Sequence, residues 1–242
     1  MNDQEIAAAI AEHGKWISRF VINGTSYGGL FDPFKDPRLD AFFTAFPAVA
    51  TILELGSLEG GHTIALAQRP RVTRVVGLEG REANLRRARL MARLLNAGKV
   101  EFIRADLETV ALREFGSFDA IFCAGLLYHL PEPWKLLRQF TQVSPRAFFS
   151  THYCKESEAD TTCEGYKGKM QIEGGLEEPR SGLSPHSFWP TLGSLIQMLT
   201  EAGFQVLHIL ENAITESAGP VVTIAAFATR QEAAASNDQR AH

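Results

Sequence analysis

Thr51-Ile52-Leu53-Glu54-Leu55-Gly56, running into Ser57-Leu58-Glu59-Gly60-Gly61-His62, is the stretch that decides the fold. The first six residues form a short, almost wholly apolar run, as a parallel strand buried on both faces does. A glycine-rich turn follows, and then a short helical stretch from Thr63 to Gln68. Further along the chain the pattern repeats. RVVGLE (74–79) predicts a second strand, and the segment 81–98 a helix with Leu85, Ala88, Ala92 and Leu95 on one face. VEFIRAD (100–106) and FDAIFCAG (118–125) read as the third and fourth strands, Pro133 to Gln142 as a helix, and RAFFSTHY (146–153) as the fifth strand. Strands that alternate with helices at this spacing form βαβ units, hence a parallel sheet covered on both faces. FQVLHILE (204–211) and PVVTIAAFATR (220–230) close the pattern across a short polar loop, so these two strands must be antiparallel. The expected fold class is therefore α/β: a doubly wound, seven-stranded sheet, mostly parallel, with the last strand antiparallel.

Residues 1–48 precede this pattern and predict a cap. It comprises a helix over 2–14, a hairpin at Asn23-Gly24 and a helix from Asp36 to Phe46 stopped by Pro47. The main domain then occupies 49–230. Within it, Cys154 to Pro185 carries Gly, Pro and mixed charge with no clean period, which predicts a functional lid inserted after the fifth strand. Pro190 suits the first turn of a helix bearing Leu192, Leu195, Ile196 and Leu199, which Gly203 ends. The tail, 231–242, is polar and expected to be flexible.

The 242 residues are 45% hydrophobic and 21% charged, with a formal charge of -4. That composition excludes wholesale disorder, and the acidic balance argues against a general nucleic-acid binder. No apolar run reaches the roughly 18 residues a membrane helix needs. Three cysteines, Cys123, Cys154 and Cys163, give an odd count without a CxxC pair, which points to a reducing, cytoplasmic setting and no disulfide framework. His152, Cys154 and Cys163 match no standard zinc spacing, so no metal is expected.

The glycine turn lies where ligands bind in open α/β sheets, outside the carboxyl ends of the strands. It lacks the second glycine of a dinucleotide fingerprint, because Leu58 stands there, and no Gly-Lys-Ser/Thr of a phosphate loop follows. Glu79 ends the second strand, where a carboxylate can accept from both hydroxyls of a ribose. Asp106 ends the third, where it can accept from an exocyclic amine such as that of adenine. The turn and two acids on successive strand ends describe an adenosine pocket without a phosphate cradle.

With ILELGSLEGGHT, VVGLEGREAN, FIRADLE and FDAIFCAGLLYHLPEPWKLL in place, the chain resembles the class I S-adenosylmethionine-dependent methyltransferases over roughly residues 50–230. The resemblance implies a Rossmann-like methyltransferase fold and S-adenosyl-L-methionine as cofactor. It further implies cofactor contacts at Glu54, Gly56, Ser57, Gly60, Glu79, Asp106, Leu107, Cys123 and Tyr128. Leu58 departs from the commonest pattern, and the Leu58-Glu59-Gly60-Gly61-His62 form looks like a branch associated with small-molecule and natural-product pathways. The expected activity is methyl transfer to a small-molecule acceptor. Two alternatives stay open. GLLYHLPEP also resembles the wobble-uridine carboxymethyltransferases of tRNA, and a catalytically silent cofactor-binding homologue would keep the same motifs.

A hydroxyl acceptor needs a general base. His152, at the end of the fifth strand, is the first candidate, with His129 second or in a structural or cofactor role. His62 opens a helix and reads as a cap. Trp16, Tyr27 and Trp189 are candidates for the wall of an acceptor pocket, with core packing as the alternative. Arg81, Arg86, Arg87, Arg89 and Arg93 read as a solvated helix face paired with acids, with an RNA contact as the sharper alternative.

Overall fold

In the computed structural model, residues 1–175, 177–215, 219–229 and 232 are described. The chain opens with helix α1 (Asp3–Ala11), closed at its start by a reciprocal cap. The Asn2 side chain accepts from Glu5 N at 3.0 Å, and the Glu5 carboxylate accepts from Asn2 N at 2.9 Å. Strands β1 (Arg19–Ile22) and β2 (Thr25–Gly28) form the expected hairpin, with Asn23 and Gly24 both at positive φ, as a type I′ turn requires. Helix α2 (Pro37–Ala45) starts at Pro37, behind Asp36, whose side chain accepts from Arg38 N at 2.9 Å.

The alternating half follows the expected order: β3 (Thr51–Leu55), α3 (Gly61–Ala67), β4 (Arg74–Glu79), α4 (Glu82–Leu94), β5 (Val100–Arg104) and β6 (Ala120–Ala124). The helix expected over 133–142 is two short pieces, α5 (Pro133–Leu137) and α6 (Phe140–Val143), before β7 (Arg146–His152). After β8 (Thr161–Cys163), β9 (Tyr166–Ile172) and β10 (His186–Pro190) come α7 (Leu192–Glu201), β11 (Val206–Thr215) and β12 (Gly219–Phe227). The main sheet has the order β11-β12-β7-β6-β3-β4-β5, with β12 antiparallel to both neighbours and β3 to β7 mutually parallel. The seven-stranded expectation therefore holds.

Two expectations change. The segment 154–185 is not structureless: β8 and β9 form a hairpin, and β10 joins them in a second, three-stranded antiparallel sheet. Its turn is Glu164-Gly165, both at positive φ, a weaker sequence signal than Asn-Gly. What stays irregular is the loop from Glu173 to Pro185. Pro190 ends β10 and does not start the helix; Thr191 caps α7 instead, accepting from Ser194 N at 3.2 Å.

The first 48 residues share the core of the sheet. Phe42 of α2 meets Phe122 and Phe148 edge-on at 5.4 and 5.8 Å, and Phe46 meets Phe227 at 5.3 Å. Among the described residues no helix is long and apolar enough to cross a membrane. The tail expected to be flexible, 231–242, lies outside the described residues except for Glu232.

Candidate active site

At the carboxyl end of β3 the backbone turns through three left-handed residues, Gly56, Leu58 and Gly60. Gly56 N and Ser57 N both donate to Leu78 O at 2.9 Å, which ties the turn to the end of β4. Gly60 cannot carry a side chain: a Cβ there would lie 2.5 Å from Phe102 Cζ and 2.9 Å from Ala88 Cβ. Leu58 occupies a conformation that costs a branched residue about 1 kcal/mol, which is the physical reason glycine is common at that place.

The turn delivers one donor to the next strand end. Leu58 N donates to Glu79 Oε2 and Arg81 N to Glu79 Oε1, both at 2.8 Å. The Glu79 carboxyl is thus fixed in orientation with lone pairs to spare. Burial raises its pKa, and the backbone donors at Arg81 and Leu58 oppose that rise.

A cavity of about 340 Å³ opens over these strand ends. Gly56, Ser57, Glu79, Asp106, Leu107 and Tyr128, all expected at the cofactor, line it, and so does His129. Three other expected contacts do not. Glu54 lies fully buried beneath the cavity, with Oε2 accepting from Thr63 Oγ1 and its carboxyl pushed up to about 8 by burial. Gly60 is packed against Phe102. The Cys123 side chain is fully buried in the core and does not line the cavity, and burial, followed by the Glu54 charge, pushes its thiol far up.

The loop 173–185 covers this cavity. Arg81 Nη2 donates to Gly175 O at 3.2 Å and Gly182 O at 3.1 Å, and Asn84 Nδ2 to Pro179 O at 3.1 Å. Ser184 Oγ donates to Glu108 Oε2 at 2.6 Å. Glu173, at the root of the loop, accepts from Gly182 N at 2.6 Å and lies 2.9 Å from His129 Nδ1. The carboxylate holds the proton on Nδ1, so His129 is a clamp on this loop, with its ordinary pKa lowered mainly by burial.

A second cavity, about 440 Å³, adjoins the first and shares Phe31, Arg38, Gly125 and Tyr128 with it. His152 belongs to this second cavity only. Its Nδ1 lies 3.2 Å from Pro220 O, a group that only accepts, so Nδ1 carries the proton and Nε2 is left basic. Burial lowers its pKa, which keeps the ring neutral near pH 7. The ring stacks on Trp189 at 5.1 Å and meets Tyr128 edge-on at 4.6 Å. Trp16 and Tyr27, by contrast, pack in the cluster beneath α1 and α4 and line neither cavity.

Some residues here carried no signal in the sequence. Asp36 accepts from Arg38 Nη2 at 2.5 Å and sits 2.9 Å from His62 Nε2; although burial alone would raise it, these partners hold its carboxyl well below the usual range. Glu59, fully buried, accepts from Ile17 N at 3.0 Å and Ser18 N at 2.6 Å and so ties the cap to the turn. Only the spacing of a buried acid inside a glycine turn could have hinted at it. Three of the four arginines of α4 have internal partners. Arg86 and Arg89 pair with Glu82 at 3.6 and 3.7 Å, and Arg87 donates to His13 O at 2.8 Å. Among the described residues no group of three or more His, Cys, Asp or Glu side chains is arranged to hold a metal ion.

Comparison with known proteins gives consistent neighbours. Residues 53–146 match the family described as a methyltransferase domain. The chain is 30% identical over 103 residues to the ubiquinone biosynthesis O-methyltransferase of Acinetobacter baumannii, which covers 41% of this chain and 43% of that protein. The chain thus matches less than half the length of these curated relatives. The crystal structure of the N-terminal domain of EvdMO1, in the presence of SAH and D-fucose, is similar with a TM-score of 0.86 and 38% identity over 95% of this chain and 98% of that one. The structure of EvdMO1 itself is 35% identical with a TM-score of 0.75, and there the match covers 94% of this chain but 48% of the other.

Proposed function

This chain belongs to the class I S-adenosylmethionine-dependent methyltransferases, and from that premise we propose that it methylates a hydroxyl of a small-molecule acceptor in a biosynthetic pathway. The observation that carries the reading is the Glu79 carboxyl, locked by two backbone donors at the mouth of a cavity sized for a nucleoside. S-adenosyl-L-methionine is the cofactor, and the residues present fit it. Ser57 Oγ and Arg81 Nε are buried on this wall with no hydrogen-bond partner among the described residues, donors in want of an acceptor.

When bound, the cofactor supplies an electrophilic methyl group on a sulfonium. Glu79 would accept from the ribose hydroxyls, and Asp106 and Leu107 would hold the adenine. The loop 173–185, held by Arg81, Asn84 and Glu173, keeps water from the donor. His152 is the proposed base: its unprotonated Nε2 would take the proton of the acceptor hydroxyl as that oxygen receives the methyl group. The presence of D-fucose with the EvdMO1 domain supports a hydroxyl-rich acceptor over an aromatic one. The internal pairing of Arg86, Arg87 and Arg89 supports a small molecule over tRNA, and the free thiols of Cys123, Cys154 and Cys163 support a reducing cytoplasm. The test is direct: S-adenosylhomocysteine titrated by calorimetry, then turnover of hydroxylated extracts with labelled methyl donor. Heat of binding together with labelled product of one added methyl is expected; binding without any product would turn the assignment to a silent homologue.

A further inference from the structure

The second cavity has a charge pattern that selects among acceptors. Its wall carries two cations, and each has a carboxylate partner. Lys35 lies 3.9 Å from Asp32, which Arg19 also contacts at 3.1 Å, and Arg38 grips Asp36 at 2.5 Å. One acid on the wall, Glu211, has no ion-pair partner among the described residues. The wall therefore carries three carboxylates against two cations, and both cations are already paired.

Glu211 reaches this wall through a defect in the sheet. Ile209 pairs with Ile224, yet Glu211 pairs with Thr223, so one extra residue sits at Leu210. In an unbroken strand Glu211, two residues on, would share the face of Ile209. The bulge turns it to the face of Thr223 and Val221, where Ser150 and His152 stand in register on β7.

At the junction of the two cavities stands Arg38. Asp36 takes its Nε and Nη2, and His62 in turn holds Asp36. Nη1 makes no hydrogen bond among the described residues, and it lies near the place a Gly125 side chain would occupy, at 3.9 Å. A fixed cationic N–H donor where the two cavities meet suits an acceptor oxygen and repels a protonated amine. Tyr128 and Phe31 offer flat apolar rings on the same wall.

We propose that the second cavity is the acceptor subsite and that it takes a neutral, hydroxyl-bearing ring, with Glu211 excluding anions and Arg38 receiving the acceptor oxygen. This rests on the methyltransferase reading. The two are separated by first saturating the protein with S-adenosylhomocysteine: failure at that step counts against the methyltransferase reading alone.

Three probes of one ring stereochemistry are then titrated: D-fucose, D-galacturonate with a carboxylate, and D-galactosamine with an ammonium. The loaded protein is expected to bind D-fucose about tenfold more tightly than D-galacturonate, with D-galactosamine no tighter than D-fucose. Glu211→Arg, a change at an exposed edge position, is expected to bring D-galacturonate within about threefold of D-fucose. Val221→Trp fills the cavity and should abolish D-fucose binding while S-adenosylhomocysteine still binds. Equal affinity for D-fucose and D-galacturonate, an unmoved ratio in Glu211→Arg, tighter D-galactosamine, D-fucose binding that survives Val221→Trp, or no binding by any probe each overturns the proposal.

Discussion

The two cavities meet at four residues but are built in opposite ways. The strand-end part of the first comes from one βαβ unit and its neighbour: turn residues after β3, the end of β4, and the Asp106-Leu107 pair after β5; cap residues such as Ile17 and Phe31, the segment after β6 and residues 179–183 complete it. Its polar groups are set largely by backbone donors, as Leu58 N and Arg81 N set Glu79. The second draws on the cap, on β7, and on β11 and β12, which are joined only by the antiparallel end of the sheet. Its polar groups are set by side chains and by a bulge. A site made by a local turn tolerates little change and serves one ligand. A site assembled from distant side chains can be retuned one residue at a time.

The sharpest way to break this comparison is at His152. His152→Ala should lower kcat by about 10²–10⁴ with S-adenosylhomocysteine affinity nearly intact, because the ring lies on the second cavity alone. In the intact enzyme the sign of the pH effect follows from the lowered pKa. Burial favours the neutral ring, so activity should persist below pH 6.5 and fall only as the pH drops through the depressed value. Steady-state kinetics across pH check both, and a variant with full turnover removes His152 from the chemistry.

On the other side, Glu79→Ala should weaken S-adenosylhomocysteine by roughly 2–3 kcal/mol, since it removes charged acceptors and strands two buried backbone donors. Calorimetry reads it directly, and an unchanged affinity would detach Glu79 from the ligand.

Glu54 separates the regions by stability. Its folded pKa of about 8 lies above the ordinary 4.5, with burial the main cause. Below pH 4.5 the carboxyl is protonated folded or unfolded, and it costs nothing. As pH rises towards 8 the unfolded state releases a proton that the fold retains, and stability declines through that window. Glu54→Gln should flatten this decline and raise Tm at pH 8 by more than at pH 4.5, as thermal unfolding at both pH values will show.

How much of this the sequence revealed follows the same division. The strand-end acids and the glycine turn were legible because strand periodicity fixes where a strand stops, and the residue there faces the ligand edge. All five strands of the alternating half were expected within a few residues of where they lie. Cys123 could not be placed from alternation, because β6 is buried on both faces from Ala120 to Cys123 and the period-2 pattern carries no signal there. Asp36, Arg38 and Glu211 were not legible as partners, because their meeting depends on how the cap packs against α3 and on one extra residue at Leu210. Neither leaves a periodic trace. The hairpin of β8 and β9 was missed for a related reason. Its alternation runs through Lys167 and Lys169, whose charge looks like loop composition.

The smallest expected effect is the most local. Leu58 holds a left-handed conformation at the turn, with its side chain half-buried on the wall of the first cavity. Leu58→Gly removes about 1 kcal/mol of backbone strain. It also returns conformational freedom to the unfolded chain and deletes the packing of a half-buried leucine, terms of about the same size and opposite sign. Tm should therefore move by only a few degrees. The donor to Glu79 is the backbone N–H of residue 58, which glycine also has, so S-adenosylhomocysteine affinity should change by less than about threefold. Calorimetry on this variant sharpens the contrast between the cavities: a loss beyond tenfold would mean that the first cavity, too, depends on a particular side chain and not on its turn.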